Sequence, residues 1–128
     1  MGGSIADLKT TLDDTIKKFN AGDVAGVNVN LAPGVDVTSL RPRQTLIGAA
    51  GVALINKQQT APDIANFSLN GTPTFAPGAG TADHAHISGT ATWTDPNGKD
   101  LIHFDVDCVF DGTRWLFQKV TGFVIGPA

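Results

Sequence analysis

From His86 to Gln118 the chain reads HISGTATWTDPNGKDLIHFDVDCVFDGTRWLFQ, with polar and apolar residues alternating almost without interruption. A period of two puts the two sets on opposite faces of extended strands, so this part of the chain is read as a sheet with one apolar side. Asn97-Gly98 reads as a two-residue hairpin turn, because both central positions of a type I′ turn need the positive φ that Asn and Gly tolerate. That turn predicts Lys99 opposite Pro96, then Thr92 with His103, Thr90 with Asp105 and Ser88 with Asp107 on the polar face. The apolar face then pairs Trp93 with Ile102, Ala91 with Phe104, Gly89 with Val106 and Ile87 with Cys108. A slip of one residue would set apolar side chains against polar ones all along the hairpin. Asp111-Gly112 is a second turn signal. The strand after it adds Trp115 and Phe117 to the apolar face, and Arg114, Leu116 and Gln118 to the other.

A three-stranded meander with one apolar face needs a cover. Ile5, Leu8, Leu12, Ile16 and Phe19 recur at steps of three and four and predict a helix from about Ser4 to Asn20, with Ser4 and Asp7 as its cap and Gly22 as its end. Gly48 to about Gln59 predicts a second, small helix with Val52 and Ile55 on one side, stopping before Pro62. Between them, residues 23–32 fit either a short helix or a loop, Pro33-Gly34 reads as the closing turn, and Val35 to Leu40 as a short strand. Residues 63–75 predict an extended segment broken by Gly71 and Pro73, and 76–83 a flexible loop. No repeat or linker interrupts the pattern, so residues 1–128 read as one domain.

Composition excludes several function classes. A net charge of −3, with nine Lys and Arg and no basic run longer than Lys17-Lys18, gives no electrostatic footprint for nucleic acid or an anionic membrane. No apolar run approaches the roughly 20 residues that span a bilayer. No basic segment leads into an apolar stretch at the start, so the expectation is a cytoplasmic protein, leaving aside a leader removed earlier. Cys108 is the single cysteine and has no disulfide partner in the chain; with no His on its face, it reads as a small buried hydrophobe. All twelve acidic residues are Asp and there is no Tyr, which removes Glu and Tyr as acid, base or oxyanion donor.

The chain runs from a long N-terminal helix through NAGD at Asn20 to Asp23, then a second helix with Gly48 and Val52, to Asp111-Gly112 with Trp115 before the last strand. That order resembles the nuclear transport factor 2-like superfamily, also called SnoaL-like, over almost the whole chain. The resemblance implies an α+β cone: a strongly bent mixed or antiparallel sheet wrapped around two to three helices, with a pocket between them. It also implies a bacterial-type member that forms a homodimer through the outer sheet face. Ketosteroid isomerase-type members carry a base Asp followed by Pro and a Tyr on the first helix. Here that region reads VDVTSLRP, with Thr38 or Ser39 near the base position, Asp36 shifted from it, and no Tyr to complete the set. Epoxide-hydrolase-type members use an Asp, Arg, Asp set; Asp105, Asp107 and Arg114 imitate its charged part but fall on the polar face.

Fold does not fix function, so the residues must be weighed singly. His103, Asp105 and Asp107 share a face at about 6.5–7 Å between successive Cα atoms, which brings them within reach of one cation. His84 and His86 repeat that spacing on the partner strand, with His86 diagonal to Asp107, so His84, His86 and His103 are the candidate metal ligands. The plainer reading is a solvated outer face with an Asp107–Arg114 ion pair, and no cofactor is expected. Trp93, Phe104, Val106, Phe110, Trp115 and Phe117 are core first. In a cone they would also line the pocket together with Phe19 and suit a small hydrophobic molecule. Two alternatives stand beside that expectation. One is a small-molecule dehydratase, cyclase, isomerase or hydrolase using Asp36, His103, Asp105 or Asp107 in acid–base chemistry. The other is a dimerising interaction module. Arg41-Pro42-Arg43 reads as a solvated loop or as an anion clamp at the pocket rim.

Overall fold

The computed structural model describes residues 2–38 and 45–128. Ser39, the end of the predicted strand at Leu40, and the Arg41-Pro42-Arg43 clamp lie outside the described residues. In chain order the elements are β1 (Gly3–Ser4), α1 (Ile5–Asn20), α2 (Val24–Asn28), β2 (Leu31–Thr38), β3 (Thr45–Ile47) and α3 (Ala49–Lys57). They continue with β4 (Asn66–Leu69), β5 (Thr74–Ala76), β6 (Thr81–Ala82), β7 (His84–Asp95), β8 (Gly98–Phe110) and β9 (Trp115–Pro127). The main sheet runs β3-β2-β9-β8-β7-β4, with β5 also on β7, and β1 pairs with β6 in a separate ribbon. Within the main sheet β2 and β9 are parallel and the other pairs antiparallel, which makes it a mixed sheet. Helices cover its apolar side, and the fold is the α+β cone.

The first helix forms where its periodicity predicts. Ser4 caps it by accepting the Asp7 N–H at 2.9 Å, Asp7 lies in the first turn and Lys17 and Lys18 in the last, each favourable to the helix dipole. Gly22 takes φ +74° and turns the chain away. Of the two readings left open for residues 23–32, the short helix is realised as α2, capped by Asp23 Oδ1 accepting the Gly26 N–H at 3.0 Å. Ile5, Leu8 and Leu12 pack onto Ile87, Ala91 and Ile102 of the sheet, while Val27, Val35, Val37 and Ile55 form a second cluster under α3. There α3 comes so close to β2 and β3 that a Cβ on Gly51 would sit 2.8 Å from the Leu46 carbonyl oxygen.

Four expectations need correction, one being the flexible loop at residues 76–83, where Ala76 ends β5 and Thr81–Ala82 pair with β1 as β6. Pro33-Gly34 does not close a loop before a strand: both lie inside β2, where Gly34 takes φ +73° and the register with β9 jumps between Leu31 and Asp36. A bulge is where an interior strand tolerates a proline that cannot donate to the ladder. A short strand, β3, occupies residues 45–47 ahead of the second helix, where none was expected. The β7–β8 hairpin turns on Pro96-Asn97, not Asn97-Gly98: Asp95 pairs with Gly98 and Thr94 with Lys99, so Lys99 does not face Pro96. Asp95 Oδ1 accepts the Asn97 N–H at 2.8 Å, and of the two predicted turn residues only Gly98 has positive φ. Asp, Pro and Gly at the first, second and fourth positions favour a type I turn, and Asn97 keeps a negative φ that a type I′ turn forbids.

The register is therefore displaced by two residues from the predicted one: Thr90 faces His103, Ser88 faces Asp105 and His86 faces Asp107. On the other face Ala91 meets Ile102, Gly89 meets Phe104 and Ile87 meets Val106. A shift of two preserves parity, so every residue stays on the face the alternation assigned.

Candidate functional site

The inner sheet face, α1 and α3 enclose a cavity of about 160 Å³ that is partly open to solvent. Helical spacing supplies Leu12, Ile16 and Phe19 from α1, and strand spacing supplies Ile102, Phe104 and Val106 from β8. Phe117 and Val120 of β9 both line it although three residues apart, a spacing that would put them on opposite faces of a regular strand. Between them the register with β8 shifts, Cys108 facing Phe117 and Asp107 facing Lys119, so Gln118 is the extra residue that returns Val120 inward. Phe19 and Trp93 meet tilted at 5.9 Å between ring centroids, and Phe67 meets Phe104 edge to face at 5.4 Å. The Trp93 N–H is spent on Asp95 Oδ2 at 2.9 Å, which leaves an apolar ring for the wall.

Of the seven residues predicted for the pocket, Phe19, Trp93, Phe104, Val106 and Phe117 line the cavity. Phe110 and Trp115 do not, which corrects that part of the expectation. At about 3.3 Å per residue, the inner face of β8 from Ile102 to Phe110 is roughly 26 Å long, longer than the cavity. The far end is filled instead by the start of α1: Trp115 donates its indole N–H to the Ser4 carbonyl at 2.9 Å and packs edge to face on Phe110 at 5.5 Å.

Among the described residues, the polar ones in this lining are Thr15 of α1, Gln58 just past the end of α3, and Thr38 and Thr121 of the sheet. Thr15 donates to the Thr11 carbonyl at 2.7 Å and accepts from Asn30 Nδ2 at 2.7 Å, while Asn30 Oδ1 accepts from Arg114 at 2.6 Å. Arg114 is thus engaged with Asn30 and does not form the expected pair with Asp107. Gln58 was not foreseen as a lining residue. Its signal was the spacing of three from Ile55 at the end of the second helix, which puts it on the buried side of α3.

The predicted acid and base candidates stand elsewhere. None of Asp36, His103, Asp105 and Asp107 lines the cavity. Asp36 sits in β2 opposite Ile47 and Lys119, with Oδ1 buried and without a hydrogen-bond partner among the described residues. On the outer face His86 bridges two carboxylates, with Nδ1 2.6 Å from Asp107 Oδ1 and Nε2 2.9 Å from Asp105 Oδ1. His103 Nε2 reaches Asp105 Oδ2 at 3.1 Å, and the His103 ring stacks on Phe123 at 5.3 Å. His84 is exposed at the start of β7, and among the described residues no group of three or more His, Cys or Asp is arranged to hold a metal ion. Cys108 is buried, and burial, with a smaller push from Asp107, raises its thiol to about 12, which leaves no thiolate for nucleophilic attack at neutral pH.

A histidine with a carboxylate on each ring nitrogen is satisfied only as the imidazolium. The Asp107 hydrogen bond accordingly raises the His86 pKa above 6.5, partial desolvation opposes it, and Asp105 adds to the rise. Because the folded value exceeds the unfolded one, the stabilisation is complete below about pH 6.5 and fades as pH rises through the folded value. His86→Ala should therefore cost about 0.5 kcal/mol at pH 6, the scale of exposed pairs, and less at pH 9. Urea titrations at the two pH values check this; an equal cost at both would refute it.

No protein-family model and no curated protein matches the sequence. Solved structures match by shape. One is an uncharacterised protein with a cystatin-like fold from Caulobacter vibrioides, at TM-score 0.78 and 11% identity over 96% of this chain and 90% of that one. Another is an NTF2-like protein of unknown function from Pseudomonas putida KT2440, at 0.75 and 10% over 92% and 84%. A third is a ketosteroid isomerase-like protein from Erwinia carotovora atroseptica SCRI1043, at 0.69 and 12% over 95% and 96%. The chain therefore has the nuclear transport factor 2-like, cystatin-like fold that its sequence resembles. At these identities the likeness is one of fold alone. Among the described residues no helix is long and apolar enough to cross a membrane.

Proposed function

We propose that this protein binds a small hydrophobic molecule in the cavity between α1, α3 and the inner sheet face. The observation that carries the proposal is a wall built almost wholly from aliphatic and aromatic side chains around about 160 Å³ of space that solvent can reach. Among the described residues no Asp, His, Lys or Arg is part of that wall. The homodimer implied by the family resemblance belongs to the same proposal, with the outer sheet face as its contact.

Methyl-labelled protein titrated with neutral apolar probes such as toluene, cyclohexane and 1-decanol tests it. The methyls of Leu12, Ile16, Ile102 and Val106 should shift with at least one probe, while those of Ile5 and Ile87, which pack away from the cavity, stay fixed. Relaxation rates from the same sample should report a two-chain particle. Cavity methyls that ignore every probe would overturn the binding proposal, and one-chain tumbling would overturn the dimer.

A further inference from the structure

We infer that the preferred ligand is a neutral, single-ring aromatic molecule bearing one small hydrogen-bonding group, anchored by the Gln58 carboxamide; this rests on the binding proposal above. Size comes first. Pockets for drug-sized ligands run to roughly 300–1,000 Å³, whereas an apolar cavity of about 150 Å³ takes a benzene-sized guest. At about 160 Å³ this cavity is close to the second kind, and a long-chain molecule would have to extend out through its opening.

Charge comes next. Among the described residues the wall offers an ionised group no countercharge, and Thr15, with its hydroxyl already donating to Thr11 and accepting from Asn30, has no proton left to give. The walls also favour an aromatic guest. The tilted Phe19–Trp93 pair and the edge-to-face Phe67–Phe104 pair offer ring edges and faces in the orientations that aromatic rings prefer.

The anchor is what distinguishes this cavity from a plain apolar void. Gln58 is half-buried, lines the cavity, and has no side-chain hydrogen-bond partner among the described residues. Its backbone is held by the Leu54 carbonyl at 3.1 Å and by the Ala65 N–H at 2.8 Å, so the side chain projects from a fixed point. A carboxamide both donates and accepts, which matches a hydroxyl group better than a purely accepting or purely donating one.

The test compares phenol, toluene, benzoate and 1-decanol by methyl shift titration in the wild type and in Gln58→Leu, with Gln58→Met as a second variant close in shape to glutamine. In the wild type phenol should bind more tightly than toluene or 1-decanol, and benzoate at least about 100-fold more weakly than phenol. Either substitution should lower the phenol-to-toluene affinity ratio by about five-fold, the size of one net hydrogen bond. An unchanged ratio in both variants would overturn the anchor, and tighter binding of benzoate or 1-decanol would overturn the ligand class. These failures are distinct from that of the binding proposal, in which no probe moves a cavity methyl and both ideas fall together.

Discussion

Replacing Trp115 with alanine should cost about 3–5 kcal/mol, a large share of the roughly 5–15 kcal/mol that holds a domain together. Trp115 is the largest of the fully buried side chains, at 2% exposure. Its ring fills the end of the core that the cavity does not reach, and its N–H holds the carbonyl of the residue that caps α1. The alanine variant loses the buried ring surface, opens a void, and leaves the Ser4 carbonyl without that donor. Urea denaturation followed by circular dichroism reads the loss, and a cost below about 1 kcal/mol would show that the start of α1 is held by something else. Trp115→Phe keeps most of the ring and should lose only about 1–2 kcal/mol, mainly the hydrogen bond and part of the packing. Because Trp115 lies outside the cavity wall, the phenylalanine variant should bind apolar probes as the wild type does. Trp93 then remains as the single indole and reports on the cavity from within its wall.

The sequence made the faces legible, and distances along them less so. Alternation from His86 to Phe117 assigned each side chain to the inner or outer side correctly, because parity survives any even shift of register. The turn itself was misread. Asn97-Gly98 carries one turn signal and Asp95-Pro96 another, and only the fixed φ of proline with the Asp95 side-chain bond decides between them. That displacement of two residues is what sets His86 directly opposite Asp107 and beside Asp105, a contact the predicted register reduced to a diagonal. Pairing of β2 with β9 joins segments some 80 residues apart and leaves no local pattern. The bulge at Gln118 was likewise invisible, since the extra residue is defined only by its partner strand. The cavity fell between these extremes. Its aromatic members were marked by the apolar face, but where the face stops lining a cavity and becomes solid core depends on how far α1 reaches along β8, which no residue pattern encodes. Hence Phe104 and Trp115 looked alike in sequence and sit in different surroundings.

That difference predicts opposite responses to ligand from two equally buried aromatics. Phe104→Ala should destabilise by about 3–5 kcal/mol in the absence of ligand, as Trp115→Ala does. Phe104 is 4% exposed, meets Phe67 edge to face, and lies across from Gly89, where a Cβ would come within 3.2 Å of its ring. A glycine facing a phenylalanine is a matched pair: the missing side chain makes room for the ring, and the ring covers the bare backbone. Without the ring, the void joins a cavity that is already open to probes, so a larger apolar molecule can occupy both and recover part of the loss. Saturating a site at about 100 times its dissociation constant adds about 2.7 kcal/mol to stability. Naphthalene, larger than the single-ring guests proposed for the wild-type cavity, should therefore raise the urea midpoint of Phe104→Ala by more than that of the wild type and that of Trp115→Ala by no more than the wild type. An excess over the wild type in both would mean that the Trp115 end communicates with the cavity, and an excess in neither would mean that the structure collapses around the missing ring. The first result would redraw the boundary between core and cavity, and the second would leave Phe104 a packing residue alone.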